Sequence, residues 1–327
     1  MSAAAGHDVR LSYLWEDDGS GNPDFATGSP SDSDNKPFGS DASLKTHEGA
    51  NNAIEVFDPN SREAREVIER NFEGSWSVEW ILTNPWILRA AIDNNVSSSG
   101  TDPTTHTYSG EVPYSMRLVV GNEQTGHERI LKGCVLSSIS FSADVGGMVK
   151  VSADGAYADE KLNQNVTLTS QPSINERPMT FAQAQVDRAG STLSLIQNAQ
   201  VQIQNNIDLL NELGTRTPVD YSPKQRTATI SYGDIVEDDA ELTRMYGDSA
   251  ATAPEPKVDN SKKIEFIFDN GKSGASKNLL NLTLKNCIPD SYSRSGQGDP
   301  EADLEGELSE VAAGLEATAE NSTGTAR

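Results

Sequence analysis

Apolar and polar residues alternate with a period of two along much of this chain. Ser75-Trp76-Ser77-Val78-Glu79-Trp80 sets its aromatic and aliphatic residues on one side and its polar residues on the other, the pattern of a half-buried strand. Tyr114–Val120 follows the same rule with one exception. Lys132–Ser142 and Met148–Tyr157 read as a strand pair joined by Ala143-Asp144-Val145-Gly146-Gly147. Helical signals are few. Asp58 and Pro59 stand where an N-cap and first helical residue would precede a helix over Arg62–Arg70, and Asn84-Pro85 opens a second that runs through Trp86, Ile87 and Leu88. Glu16–Lys45, rich in Gly, Ser, Asp, Asn and Pro, reads as a long exposed loop or flexible hairpin, and the stretch after Leu315 as a polar tail. The fold class is mainly β, with one or two short helices packed on the sheets of each half.

The pattern also repeats. Leu131–Ser142 has a degenerate echo in Leu284–Ser295 at a constant offset, 287 − 134 = 153, which sets Cys287 on Cys134. Under it Ser138, Ser140 and Ser142 fall on Ser291, Ser293 and Ser295. Upstream, Trp76, Val78 and Trp80 fall near Ala228, Ile230 and Tyr232, the helix at Asn84–Ala91 near Asp238–Tyr246, and Met116, Leu118 and Val120 resemble Ile264, Phe266 and Phe268. Chance matching of serine-rich strands is the competing explanation. A proline-bearing polar stretch, Gln171-Pro172 to Arg177-Pro178, separates the copies, so the chain divides into a domain over residues 1–172, carrying the polar loop 16–45, and a second over 178–327, carrying the polar tail.

Composition narrows the function. The 327 residues carry 49 Asp+Glu against 26 Lys+Arg, a net charge of −23. That balance disfavours wrapping on nucleic acid, which needs clustered Lys and Arg, and points to a folded surface adapted to high salt. No window approaches the ~20 apolar residues of a membrane helix, and the start lacks the regions of a secretory signal, so neither a membrane partner nor export by that route is expected. Cys134 and Cys287 allow one bridge at most, and His7, His47, His106 and His127 lack zinc-ligand spacing. Asp299–Asp303 has the wrong spacing and glycine for a calcium loop. Hydrolase and nucleotide-binding motifs are missing, and acid pairs such as Asp17-Asp18 are expected by chance at this acidity. No catalytic residue, cofactor or metal is therefore expected.

Two segments carry a resemblance to a known family. The strand pair Lys132–Ser142 and Met148–Tyr157 looks like one. The other is Leu195–Ile207, a strand ending in the paired Asn205-Asn206, followed by Gly214-Thr215-Arg216-Thr217-Pro218, with the helix end Leu242–Gly247 also fitting. Together they resemble the major tail tube proteins of long-tailed, non-contractile viruses, over residues 50 to 315. The resemblance implies tandem β-sandwich or half-barrel tail-tube domains, self-assembly into stacked rings, and partners among the other tail proteins (tape measure, terminator and tip). DNA would pass transiently through the lumen without specific binding. The protein would reside in the virion after assembly in the host cytoplasm, and the acidity makes a haloarchaeal virus the natural source. With two tube domains per chain a trimeric, pseudo-sixfold ring is favoured, a hexamer being the alternative.

If Ile139 and Phe141 face the core, the opposite face presents Ser138, Ser140 and Ser142, with Ser291, Ser293 and Ser295 in the other copy. On the next strand an offset of 153 sets Lys150, Ser152 and Asp154 on Asp303, Glu305 and Glu307. These twelve positions are the candidates for a lumen lining. Hydroxyls and carboxylates would repel phosphate and let DNA slide; ordinary solvated strand faces are the plainer reading. A different class, a surface adhesion or ligand-binding β-sandwich, would need an aromatic or polar platform on one sheet face, for which Trp76, Trp80 and Trp86 are the candidates, although filling the core of the first domain is their plainer role.

Overall fold

The computed structural model describes residues 9–18, 23–28, 35–59, 62–93, 96–122, 127–162, 176–236, 240–247, 262–296 and 305–322. Alternation becomes strand wherever it is sustained: over Glu73–Ile81 the residues Trp76, Val78 and Trp80 are buried while Glu73, Ser75 and Glu79 are exposed. In chain order the first half contains β1 (Val9–Trp15), β2 (Lys36–Pro37), β3 (Ser40–Ala50), β4 (Ile54–Phe57), β5 (Ala64–Ile68), β6 (Glu73–Ile81), helix α1 (Leu88–Ala91), β7 (Val96–Ser99), β8 (Thr104–Tyr108), β9 (Met116–Asn122), β10 (His127–Asp144), β11 (Lys150–Tyr157) and β12 (Asp159–Leu162). The second contains β13 (Ala184–Arg188), β14 (Ser191–Thr192), β15 (Ile196–Gln204), β16 (Ile207–Leu210), β17 (Asp220–Pro223), β18 (Thr227–Ile235), helix α2 (Ala240–Tyr246), β19 (Lys262–Asp269), β20 (Leu279–Ser295), β21 (Glu305–Ala312) and β22 (Gly314–Asn321).

The protein is mainly β, as the alternation predicts. Its principal sheet is antiparallel throughout and runs β3-β6-β11-β10-β15-β18-β21-β20. Two further sets of strands branch from it. One is β2-β1-β9-β10-β12 and the other β14-β13-β19-β20-β22-β8-β7. A core including Trp76, Phe141, Val201, Tyr232, Phe266 and Leu282 lies between the principal sheet and these covering strands, the arrangement of a β-sandwich. The two halves share hydrogen-bonded ladders, β10 with β15 and β8 with β22.

Strands β10 and β20 each belong to two layers and turn the corner in the same way. Leu131 faces Leu118 and Cys134 faces Met116 across one irregularity; Leu284 faces Ile264 and Cys287 faces Lys262 across another. A second bulge follows, at Leu136/Ser138 in β10 and at Pro289/Ser291 in β20. Every one of these β20 positions is its β10 counterpart plus 153. Between the cysteines' strands and their corners lie Gly133 and Asn286, both left-handed, with φ of 62° and 52°. Such a backbone favours Gly and Asn, and a Cβ on Gly133 would also stand 2.8 Å from that of Ala158.

Pairing shifts the other alignments by two. Leu118, not Met116, corresponds to Ile264, because each opposes the leucine before the first irregularity. Trp76 and Val78 correspond to Ile230 and Tyr232 by their positions on β6 and β18. Against β10 and β20, Lys150 and Ser152 correspond to Glu305 and Glu307, and Asp154 to Ser309, an offset of 155, because the sequence between β20 and β21 is two residues longer than that between the corresponding positions of β10 and β11.

Three local expectations are overturned. Arg62–Arg70 is not helical: β4 and β5 form a hairpin, and Asp58 pairs with Arg65 at 3.2 Å instead of capping a helix. Alternate Ile54/Val56 and Val67 suit a ladder, and so short a helix without a buried face is not stable in water. The Glu16–Lys45 segment is not one exposed loop. Glu16 and Phe38 are buried, and β2 and much of β3 lie within it; residues 19–22 and 29–34 lie outside the described residues. After Leu315 the chain continues β22 as far as Asn321, with Ala317 and Ala319 buried between β20 and β8; residues 323–327 lie outside the described residues. The helix expected from Asn84-Pro85 is α1, and the Asp238–Tyr246 segment holds α2 from Ala240.

Candidate functional site

The principal sheet has one apolar and one polar face. In β10, Ile139, Phe141 and Ala143 enter the core, while Ser138, Ser140 and Ser142 stand on the other side, partly exposed. Directly opposed residues of an antiparallel pair share a face. The three serines oppose Asp154, Ser152 and Lys150 of β11, and the Ser138 hydroxyl donates to Asp154 Oδ1 at 2.7 Å. On their other flank they oppose Gln204, Gln202 and Gln200 of β15. Outward from β11 come Ser77 and Glu79 of β6, and outward from β15 come Thr227, Thr229 and Ser231 of β18. At the far end Ser291, Ser293 and Ser295 of β20 oppose Ser309, Glu307 and Glu305 of β21. Eleven of the twelve lining candidates therefore share this face; Asp303 lies outside the described residues. The glutamines of β15 and the threonines of β18 share the face without being among the twelve candidates, although their alternation with Val201, Ile203 and Ile230 marks them.

Among the described residues few cations lie on this face. Lys150 is exposed, and Lys45 is 2.9 Å from Glu79 in an ion pair whose members are both about half exposed, worth ~0–1 kcal/mol. Among the described residues no cluster of His, Cys, Asp or Glu has the geometry of a metal site. Cys134 and Cys287 are free and buried, and burial pushes the Cys287 thiol up to about 12, so neither is poised as a nucleophile. Trp76, Trp80 and Trp86 are buried in the core. They therefore form no exposed aromatic platform.

Both long edges of the principal sheet are open among the described residues. β3 pairs only with β6, and the 288–295 part of β20 only with β21. Each half also projects a small hairpin, β4–β5 and β16–β17, with Phe57, Val67, Leu210 and Leu213 exposed. The loop of the second hairpin fastens to the base of the first. Arg216 donates from Nε to the Arg70 carbonyl at 3.2 Å and from one terminal nitrogen to Asn51 Oδ1 at 3.0 Å, its other terminal nitrogen lies 2.6 Å from Glu69, and its carbonyl accepts from the Phe72 amide at 2.8 Å. The Gly-x-Arg-x-Pro turn thus acts as a clamp between the halves.

Two buried carboxylates hold the frame. Glu310 of β21 accepts two bonds from Arg244 of α2, at 2.6 and 2.8 Å, and one from the Tyr232 hydroxyl at 3.0 Å. Glu16 accepts from the backbone amides of Gly133 and Ala26 at 2.9 and 3.0 Å and from Arg117 Nε at 3.3 Å. Burial raises its pKa, and those bonds offset only part of the rise. It pins the corner of β10 from the segment expected to be loop.

A family model described as phage tail tube protein matches residues 6–307. No curated protein matches.

Proposed function

Because the chain belongs to the phage tail tube protein family, a structural component of the virion tail, we propose that it is the repeating subunit of the tube, closing into stacked rings around a DNA conduit. Membership brings self-association and contact with other tail proteins; tape measure, terminator and tip proteins are the specific partners proposed. The observation that carries the conduit reading is a sheet open at both edges whose polar face continues across both halves of the chain. Edges left open in a monomer invite aggregation, and closing the sheet on neighbouring subunits removes them. Ser138, Ser140, Ser142, Lys150, Ser152, Asp154, Ser291, Ser293, Ser295, Glu305 and Glu307 would then line the lumen. A wall of hydroxyls, amides and carboxylates offers DNA phosphate little to hold.

The recurrence of pairing in β10 and β20 supports two tube domains per chain, meeting near residues 172–178. Three chains would then supply 3 × 2 = 6 domains, a trimeric ring with pseudo-sixfold symmetry. The covalent link raises the effective concentration of the second domain during closure. The surplus of acids supports a long-tailed virus of a high-salt host, with assembly in the host cytoplasm. Electron microscopy of the purified protein in molar salt tests the reading: tubes with threefold symmetry and an approximate sixfold component are expected. A persistent monomer would refute the tube, and strict sixfold symmetry with one whole chain per sector would refute the trimer.

A further inference from the structure

Within the principal sheet the strands β3, β6, β11 and β10 recur as β15, β18, β21 and β20, in that order. Within that sheet the equivalence leaves one ladder, β10–β15, without a counterpart. β10 pairs with β9, β12, β11 and β15, whereas β20 pairs with β19, β22 and β21. β15 pairs with β18 and β10, whereas β3 pairs with β6. The missing partner of β20 is a β3, and the missing partner of β3 is a β20.

We propose that residues 291–295 of β20 pair antiparallel with residues 46–50 of β3 in a second copy of this chain, and that Asn51 of that copy locks the junction as Asn205 locks the β10–β15 junction inside the chain. The proposal rests on the tube-subunit reading and supplies its ring contact. Register follows from the internal ladder, where Ser138 faces Gln204, Ser140 faces Gln202 and Ser142 faces Gln200. Ala50, Glu48 and Thr46 oppose Glu73, Ser75 and Ser77 of β6 as Gln204, Gln202 and Gln200 oppose Thr227, Thr229 and Ser231 of β18. Transfer sets Ser291 against Ala50, Ser293 against Glu48 and Ser295 against Thr46, so the polar face continues across the joint. On the core side Tyr292 meets Gly49, a bulky residue against one without a side chain. Arg294 comes beside His47, whose Nε2 lies 3.3 Å from the Glu160 carboxylate.

Asn205 shows how the lock works. Its amide donates to the Ser137 carbonyl at 2.8 Å, and its side-chain nitrogen donates to the carbonyls of Leu136 and Ala91, both at 3.0 Å. It is 2% exposed. Asn51 lies 154 residues earlier at the end of β3 and is exposed. Each is followed by a left-handed asparagine, Asn52 at φ 43° and Asn206 at φ 47°. The same residue in the same local conformation is buried where its partner strand is present and exposed where that strand is missing. Offsets of 153 and 154 place Asp290, Pro289 and Met245 of the neighbour where Ser137, Leu136 and Ala91 stand.

Hydrogen exchange and one variant test this. In assembled wild type, amides of 46–51 and 291–295 are expected to become protected relative to unassembled protein; tubes that leave both segments unprotected would overturn the junction while leaving the tube intact. Asn51→Ala also removes the exposed bond that Asn51 Oδ1 accepts from Arg216, so Arg216→Ala serves as its control: Asn51→Ala is expected to lower the monomer's melting temperature no further than the control does, yet to raise the concentration needed for assembly about tenfold or more above that of the control. Assembly at the wild-type concentration would overturn the lock. A wild type that never assembles would remove the tube reading and the proposal with it.

Discussion

Glu310 and Arg244 come from strand and helix 66 residues apart and meet at 2.6 Å in the buried interior. Removing one partner of a buried ion pair strands the other's charge, so Glu310→Gln is expected to lower stability by about 3–5 kcal/mol in urea denaturation, and replacement of both by apolar residues to cost less. Because Arg244 lies in α2, loosening it also displaces the Met245 carbonyl that the proposed junction uses. Glu16 offers a pH test. Its folded pKa lies above the unfolded value, so its contribution is full below the unfolded pKa of about 4.5 and is lost as pH rises through the folded one. The melting temperature of wild type relative to Glu16→Gln is therefore expected to improve as pH falls from 7 to 4.5; a constant difference would show that the buried carboxylate carries no linkage. Neither residue was legible as special among 49 acids, since burial is set by what the distant chain lays over them.

At the scale of elements, the corners of β10 and β20 distinguish shared geometry from shared sequence. Gly133→Ala is expected to lower stability by about 1–3 kcal/mol, through a left-handed backbone and the close approach of Ala158. Asn286→Gly, at the equivalent corner, is expected to be close to neutral in the same denaturation experiment. The serine strands were legible because period-two alternation needs only local residues. The β4–β5 hairpin was not. Asp58-Pro59 is a sound helix start by propensity, but a stretch without a buried face follows whichever ladder is offered to it.

For the whole molecule, 23 uncompensated negative charges repel one another, and the screening length falls from ~10 Å at 0.1 M salt to ~3 Å at 1 M. Melting temperature and assembly are both expected to rise between 0.1 M and 3 M NaCl, and equal melting temperatures would remove the high-salt argument. What the sequence by itself determined is what short-range pattern determines: a mainly β chain, its strongest strands, its serine-lined faces and the offset of 153. These follow from side-chain alternation and residue size. Tertiary structure alone decided that residues 36–37 and 40–45 are strand instead of loop, that β11 and β21 are related by 155, and that β3 and the 288–295 part of β20 are left as the edges of the principal sheet. Register and edge status depend on which strand lies alongside, and that neighbour is drawn from far along the chain by the burial of both.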